Sequence, residues 1–484
     1  MIGTLAFRHL LVKKARSLFL LLGFSLGVGV MIVLLSVGEA MLEQSRDVSL
    51  VGGGELTVLP QGIDVEAMRT GGLGGMFFTI ERARFLTRQA LGGGRHRGLI
   101  RTVAPAIEGK LLYLCPAAGE CAPTAVRAGG EIPSRAAALG AGLELLEGRW
   151  TDSPADSAYV VPTAQQLYDE MDRFHLPPTP DSTWGEWHYF NLVTGPGEWW
   201  YVTFLVGGRV SLSERDGRWG GRMLVTHRRP DGRHDRYTAE AHAAAVAFDT
   251  AGADVAIGES HVRQRDGEYR LHVTARGDRG AVRLDLVVRP GVNRYFPPVE
   301  LREDDFLSGY VVPALAATAA GRVCVQGGCT DVTDAPAYHD HNWGVWRGVT
   351  WEWGAAQGER LSLLYGGVYG PGDEGTSPFF LALVDSLGVR RVLRFGEIDY
   401  RGSRPADGLP GARAPERFTL RGTWEADTVT LSVEVDHALA SEVAAASHRR
   451  TFLQMRGRFE LRGKVLGDAL YDRGQGFFET YLSQ

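Results

Sequence analysis

From Trp184 onward the chain is written in alternation. Val282, Leu284, Leu286 and Val288 are separated by single residues, and so are Val429, Leu431, Val433 and Val435, with Thr430, Ser432 and Glu434 between them. Successive side chains of an extended strand leave opposite faces, so this pattern predicts half-buried antiparallel strands. Asp216-Gly217, Asp231-Gly232 and Asp266-Gly267 fall between candidate strands. Asp-Gly is the signal of a two-residue hairpin, which needs positive φ values. Helical patterns are sparse here. About 300 residues of hairpins are too many for one small barrel, which leads to two barrels or sandwiches in tandem. Tyr295-Phe296-Pro297-Pro298 to Pro313 reads as the crossing, giving a first β domain over 184–312 and a second over 313–484.

The N-terminus follows different rules. No charged residue lies between Ser17 and Gly38. As a helix this run is long enough to cross the hydrocarbon of a bilayer. Arg8, Lys13, Lys14 and Arg16 precede it, and Glu39 and Glu43 follow. The excess of basic residues before the span places residues 1–16 in the cytoplasm, 17–38 in the membrane, and the bulk of the chain outside, in a periplasmic or equivalent space. A cleaved signal peptide would have a shorter apolar region ending at small residues. The expectation is a single-pass protein of the cytoplasmic (inner) membrane. Gly23 with Gly27, and Ser25 with Gly29, would let a second helix approach closely.

Four cysteines form two close pairs, Cys115 with Cys121 and Cys324 with Cys329. Neither pair has the spacing of a structural zinc site, so two short-loop disulfides in an oxidising compartment are expected, the alternative being reduced thiols in a cytosolic protein. A net charge of −5 does not favour nucleic acid as a partner, which would call for a basic face.

Residues 39–160 mix helical and strand patterns, and Leu176-Pro177-Pro178-Thr179-Pro180-Asp181 closes a stiff linker over 161–183. Leu5-Ala6-Phe7-Arg8, Ser36-Val37-Gly38-Glu39 and Ile132-Pro133-Ser134 make residues 2–60 and 126–150 resemble the first transmembrane helix and extracytoplasmic domain of the macrolide-exporter and lipoprotein-releasing type of ABC transporter permease. That resemblance implies ABC transporter subunits as partners. Such permeases carry further spans, which this chain lacks. It also has no Walker A loop, since Gly109-Lys110-Leu111 and Gly463-Lys464-Val465 miss the hydroxyl residue.

The chemistry concentrates in Tyr338-His339-Asp340-His341-Asn342-Trp343-Gly344-Val345-Trp346 and in Trp351-Glu352-Trp353. So many large aromatics beside titratable groups predict a pocket lining. On a regular strand His339, His341 and Trp343 share one face, and Tyr338, Asp340 and Asn342 the other. Trp184 to Phe190 and Trp199-Trp200-Tyr201 form a second aromatic cluster. The histidines could equally be core residues satisfied by Asp340, Asn342 or backbone, and the tryptophans core filler. Two histidines at i and i+2 can share an ion, but no third ligand is evident, so neither a metal nor another cofactor is expected.

Glu186-Trp187-His188-Tyr189, Tyr295-Phe296-Pro297-Pro298, Ser308-Gly309-Tyr310-Val311-Val312-Pro313 and the Tyr338–Trp346 stretch make residues 184–484 resemble the carotenoid 1,2-hydratase (hydroxyneurosporene synthase) and AttH-like family. The resemblance implies two tandem lipocalin-like antiparallel β-barrels. It implies His341 and Trp343 as a catalytic pair, with Tyr365 as a further member. The family's carboxylate two residues on from that tyrosine is replaced by Gly367, leaving Asp340 and Glu352 as the nearest substitutes. Trp187, Tyr189, His339, Trp346, Trp351 and Trp353 are the expected ligand-binding residues. Without an acid beside His341, binding or handing over an apolar lipid or isoprenoid ligand ranks first. An isoprenoid hydratase or cyclase ranks second, and a ligand-free accessory subunit third. An acidic side chain within hydrogen-bond reach of His341 reverses the first two.

Overall fold

The computed structural model describes residues 22–33, 100–114, 124–139, some single positions among the first 170, and 171–483 apart from 178, 214–217, 304, 305, 347, 371–378 and 445–448. The chain divides into two compact units, residues 1–87 with 100–160, and residues 88–99 with 161–484. In the first, strands β1 (Ala106–Leu114) and β2 (Thr124–Glu131) form an antiparallel pair. A short helix α1 (Pro133–Ala138) follows, with its proline at the start, where the missing N–H costs nothing. Residues 22–33 are helical. No helix among the described residues is long and apolar enough to cross a membrane, and most of the remainder of the expected span 17–38 lies outside them. Cys115 and Cys121 also lie outside them.

The second unit holds two closed barrels. The first is built from β3 (Trp184–Gly195), β4 (Glu198–Gly208), β5 (Trp219–Arg228), β6 (His234–His242), β7 (Val246–Phe248), β8 (Val255–Ile257), β9 (Ser260–Arg265), β10 (Glu268–Gly277), β11 (Gly280–Pro290), β12 (Phe296–Glu303), β13 (Phe306–Val325) and β14 (Gly328–Val345). Its ring runs β11-β13-β14-β3-β4-β5-β6-β10 and closes where β10 returns to β11. The second is built from β15 (Thr350–Gly358), β16 (Ser362–Tyr369), β17 (Phe379–Asp385), β18 (Gly388–Phe395), β19 (Ile398–Arg401), β20 (Arg404–Pro405), β21 (Arg413–Ala414), β22 (Arg417–Trp424), β23 (Asp427–Ala444), β24 (Arg449–Val465) and β25 (Asp468–Ser483). Its ring runs β18-β17-β16-β15-β25-β24-β23-β22 and closes where Arg394 pairs with Thr423. Every ladder in the two barrels is antiparallel, and each ring has eight strands.

The alternation places its residues as expected. Val282, Leu284, Leu286 and Val288 on β11 are buried, as are Val429, Leu431, Val433 and Val435 on β23. Each such side chain contributes roughly 1.5–3 kcal/mol by leaving water. The Asp266-Gly267 turn has φ of 54° and 79°, both positive, as a two-residue hairpin of the right twist demands. Cys324 and Cys329 form a disulfide across the β13–β14 hairpin.

Two boundaries differ from the sequence reading. Residues 313–345 belong to the first barrel: β13 pairs with β11 and β14 with β3, so that barrel spans 184–345 and the second begins at Thr350. Pro313 does not end a domain. It sits inside β13 where the ladder register shifts between Val311 and Ala314, an irregularity that spares the missing N–H. Nor are all of residues 161–183 a free linker. Asp172 and Phe174 are buried against the first barrel, Phe174 stacks on Phe248 at 3.9 Å, and its backbone N–H donates to Asp249.

Outward faces of the first barrel pack against the second. Tyr189, Tyr310 and Tyr338 meet Trp353, Phe380 and Phe477 in one apolar cluster. The interior of the second barrel is a separate core containing Tyr365, Phe418, Leu431, Met455 and Phe478.

Candidate functional site

β3 and β14 lie side by side, with His188 opposite His341, Trp343 opposite Glu186, and His339 opposite Phe190. Glu186, His188 and Phe190 share a face of β3, and His339, His341 and Trp343 share a face of β14. Both faces point into the first barrel, and all six side chains are buried. Gly309, opposite Trp343 on β13, leaves the space the indole fills; a Cβ there would collide with the Trp343 ring. The segment before β3 adds Asp172, fully buried, and His175, whose side chain is 17% exposed.

These residues form one hydrogen-bonded cluster. His341 lies between two carboxylates, with Nδ1 2.8 Å from Asp172 Oδ1 and Nε2 2.9 Å from Glu186 Oε1. Carboxylate oxygens accept, so the imidazole is held as a double donor. Burial alone would push its pKa down, but the hydrogen bonds and charges of Asp172 and Glu186 lift it to about 9. Asp172 also accepts from Tyr269 Oη at 2.6 Å, and His339 Nε2 lies 3.2 Å from its Oδ2. Burial pushes the Asp172 carboxyl up, but the facing histidines outweigh it and hold the group well below the usual carboxylate range. His339 Nδ1 donates to the Tyr189 carbonyl at 3.0 Å. His188 stacks on His341 with ring centroids 4.0 Å apart. Burial first, then the charge of His341, pushes its pKa well below the ordinary imidazole value.

Glu186 Oε1 links the cluster to the barrel mouth. It accepts from the backbone N–H of His175 at 2.6 Å and lies 3.2 Å from His175 Nδ1. Burial lowers the pKa of His175, against the pull of Glu186. The ring stacks flat on Trp343, with centroids 3.7 Å apart. Both rings line a cavity of about 290 Å³ whose other walls include Phe174, Trp184, Leu307, Arg173 and Glu300. The volume lies at the small end of ligand pockets, so it takes a small molecule or one end of a longer one. Two trios offer three donor atoms within 4.8 Å of one another: Asp172, His188 and His339, and His175, Glu186 and His341. His339 and His341, the pair that could have shared one ion, fall in different trios, each completed by residues that the sequence reading did not single out as ligands.

No family model matches the chain, and no curated protein matches it. Solved structures similar to it include an AttH protein of Nitrosomonas europaea, 18% identical, covering 61% of this chain and 90% of that one with a TM-score of 0.42. Kievitone hydratase of Nectria haematococca is 14% identical, covering 65% and 94%, with a TM-score of 0.41. The barrel assignment stands on the strand pairing described above. None of these comparisons supports the permease likeness of the N-terminal segment.

The residues expected to form one pocket fall in three places. His339, His341 and Trp343 are inside the first barrel, as the alternation predicted. Asp340 is on the opposite face, accepting from Tyr338 Oη and Asn342 Nδ2 at 2.7 Å each, and burial raises its pKa to about 8. Tyr189 and Trp353 share that inter-barrel layer, where Trp353 Nε1 donates to Tyr338 Oη at 3.0 Å. Trp187, Trp346 and Trp351 cluster at its edge, with centroids 4.7 to 6.4 Å apart. None of these lines the cavity beside His175. Tyr365 is in the core of the second barrel between Phe395, Phe418 and Phe478, so it does not join His341. Gly367 has no room for a carboxylate, because the Phe379 ring occupies the place of its Cβ.

Four residues of this cluster were not singled out as site residues from the sequence: Asp172, His175, Glu186 and His188. Glu186 and His188 carried a signal, since alternation puts them on one face within an aromatic cluster. Asp172 and His175 carried none beyond their residue types.

Proposed function

We propose that this chain is an acid–base enzyme of the hydratase or cyclase type, acting on an apolar, unsaturated molecule held in the cavity of the first barrel. The observation that supports it most is the placement of His341 between Asp172 and Glu186, with Glu186 reaching His175 at the cavity wall. Asp172 and Glu186 thus put acidic groups within hydrogen-bond reach of His341 in the first barrel, while Gly367 lies in the second, and this favours catalysis over simple carriage. A double bond held in the cavity beside the stacked pair meets the edge of His175. A proton passes from His175 to one carbon, drawn through Glu186 from the buried cluster. The positive charge left on the other carbon faces the π surfaces of Trp343 and Trp184. Water, or a second double bond of the same molecule, adds to that carbon, and the released proton returns to His175.

The test is incubation with an acyclic isoprenoid alkene in deuterium oxide, followed by mass spectrometry. Hydrated or cyclised product should carry one carbon-bound deuterium. His175→Ala and Glu186→Gln should lower turnover by about 10²-fold or more, the usual contribution of a positioned acid–base group. Unchanged turnover in both removes the reading. Absence of turnover in the wild type, with an apolar molecule co-purifying, favours binding and hand-over instead.

Anchorage in the cytoplasmic membrane with the barrels outside belongs to the same proposal. It is supported by the uncharged run Ser17–Gly38 and by the Cys324–Cys329 disulfide, which suits an oxidising compartment. An ABC transporter partner rests on the likeness of residues 2–60 and 126–150 alone. Protease digestion of spheroplasts should remove the barrels from outside; full protection would reverse the orientation.

A further inference from the structure

We infer that Asp172, His188 and His339 form a binding site for one divalent first-row transition-metal ion inside the first barrel. Three independent features converge on the same small volume. The first is His188. It is 1% exposed, and its two ring nitrogens have no hydrogen-bond partner among the described residues. Nδ1 lies 3.8 Å from Asp172 Oδ1, too far for a hydrogen bond and suited to two groups sharing a third. Leaving a buried imidazole without partners costs free energy that a bound cation would recover.

The second feature is the tautomer of His339. The Tyr189 carbonyl can only accept, so Nδ1 of His339 carries a hydrogen. Its other nitrogen, Nε2, faces Asp172 Oδ2 at 3.2 Å. A metal-binding histidine is ordinarily fixed in this way, donating its other N–H to a backbone carbonyl.

The third feature is the support of Asp172. Tyr269 Oη donates to its Oδ2 at 2.6 Å and His341 Nδ1 lies 2.8 Å from its Oδ1, so the carboxylate is held in a fixed orientation. The donor atoms of Asp172, His188 and His339 lie within 4.8 Å of one another. Two imidazoles and one carboxylate suit zinc or iron(II), with room for further ligands, and not magnesium or calcium, which prefer all-oxygen shells.

The site does not rest on the acid–base reading. His175, which the turnover test removes, lies outside this trio, so the two ideas fail separately. The experiment uses the full chain stripped with a chelator and titrated with Co²⁺, followed by visible absorption, with Zn²⁺ uptake measured by elemental mass spectrometry. One equivalent with ligand-field bands is expected. Tyr269→Phe, which loosens the carboxylate, should weaken binding by about 10–100-fold. His188→Ala should abolish the bands, and His188→Gln, which keeps more of the buried volume, should do the same. A wild type with no bands and no zinc uptake overturns the inference. So does a natively folded His188 variant that binds as the wild type does. If neither His188 variant folds, Tyr269→Phe decides, and unchanged affinity there also overturns it.

Discussion

The two barrels share a ring of eight strands and differ in what fills it. The second is packed with side chains such as Tyr365, Phe418, Leu431 and Phe478, and its interior carboxylate, Glu352, is held by Tyr400 Oη at 2.6 Å and Thr480 Oγ1 at 2.8 Å. The first sets four imidazoles and two carboxylates against aromatic walls and leaves a cavity beside them. A closed ladder satisfies the backbone in both cases, so the interior is free to be either a core or a site. The second barrel is filled as a core, and the first sets a polar cluster within its apolar interior.

That division can be broken or sharpened by substitution. The largest effect is expected from Phe478→Ala, at the centre of the second core. Deleting a buried aromatic ring should cost about 3–5 kcal/mol in denaturant unfolding. A cost below about 1 kcal/mol would mean that the second barrel's interior is not a tightly packed core. Next is Glu352→Gln. Burial raises this carboxyl from 4.5 to about 7, against its hydrogen bonds to Tyr400 and Thr480. The folded state therefore binds the proton more tightly than the unfolded chain. Stability is full below pH 4.5 and falls as pH rises through about 7. The fall should be up to about 3 kcal/mol in the wild type and smaller in the glutamine variant. Parallel pH profiles for the two would discard the assignment. The smallest effect is expected from Tyr365→Phe. The hydroxyl of Tyr365 is buried with no partner among the described residues, so its removal should be neutral or stabilising by about 1 kcal/mol. Turnover should not change. A large loss of activity would return Tyr365 to the mechanism and undo the separation of the barrels.

Much of this was legible in the residues. Alternation on β11 and β23 named the buried faces, and the Asp266-Gly267 turn named its hairpin. Alternation also separated His339, His341 and Trp343 from Tyr338, Asp340 and Asn342. Pleating is a local property, so residue spacing is enough to decide it. The domain boundary was not legible, because a proline inside a bulged strand looks the same as one in a linker.

The residues alone determined that this chain builds antiparallel strands and which side of each strand faces inward, since both follow from the geometry of neighbouring peptides, whereas closure into barrels needed the pairing of distant strands. Only the folded structure decided which barrel each strand joins and which side chains meet. Asp172 reaches His339 across 167 positions and His341 meets Glu186 across 155. Contacts at such distances are set by strand register and ring closure, which no short stretch of sequence encodes.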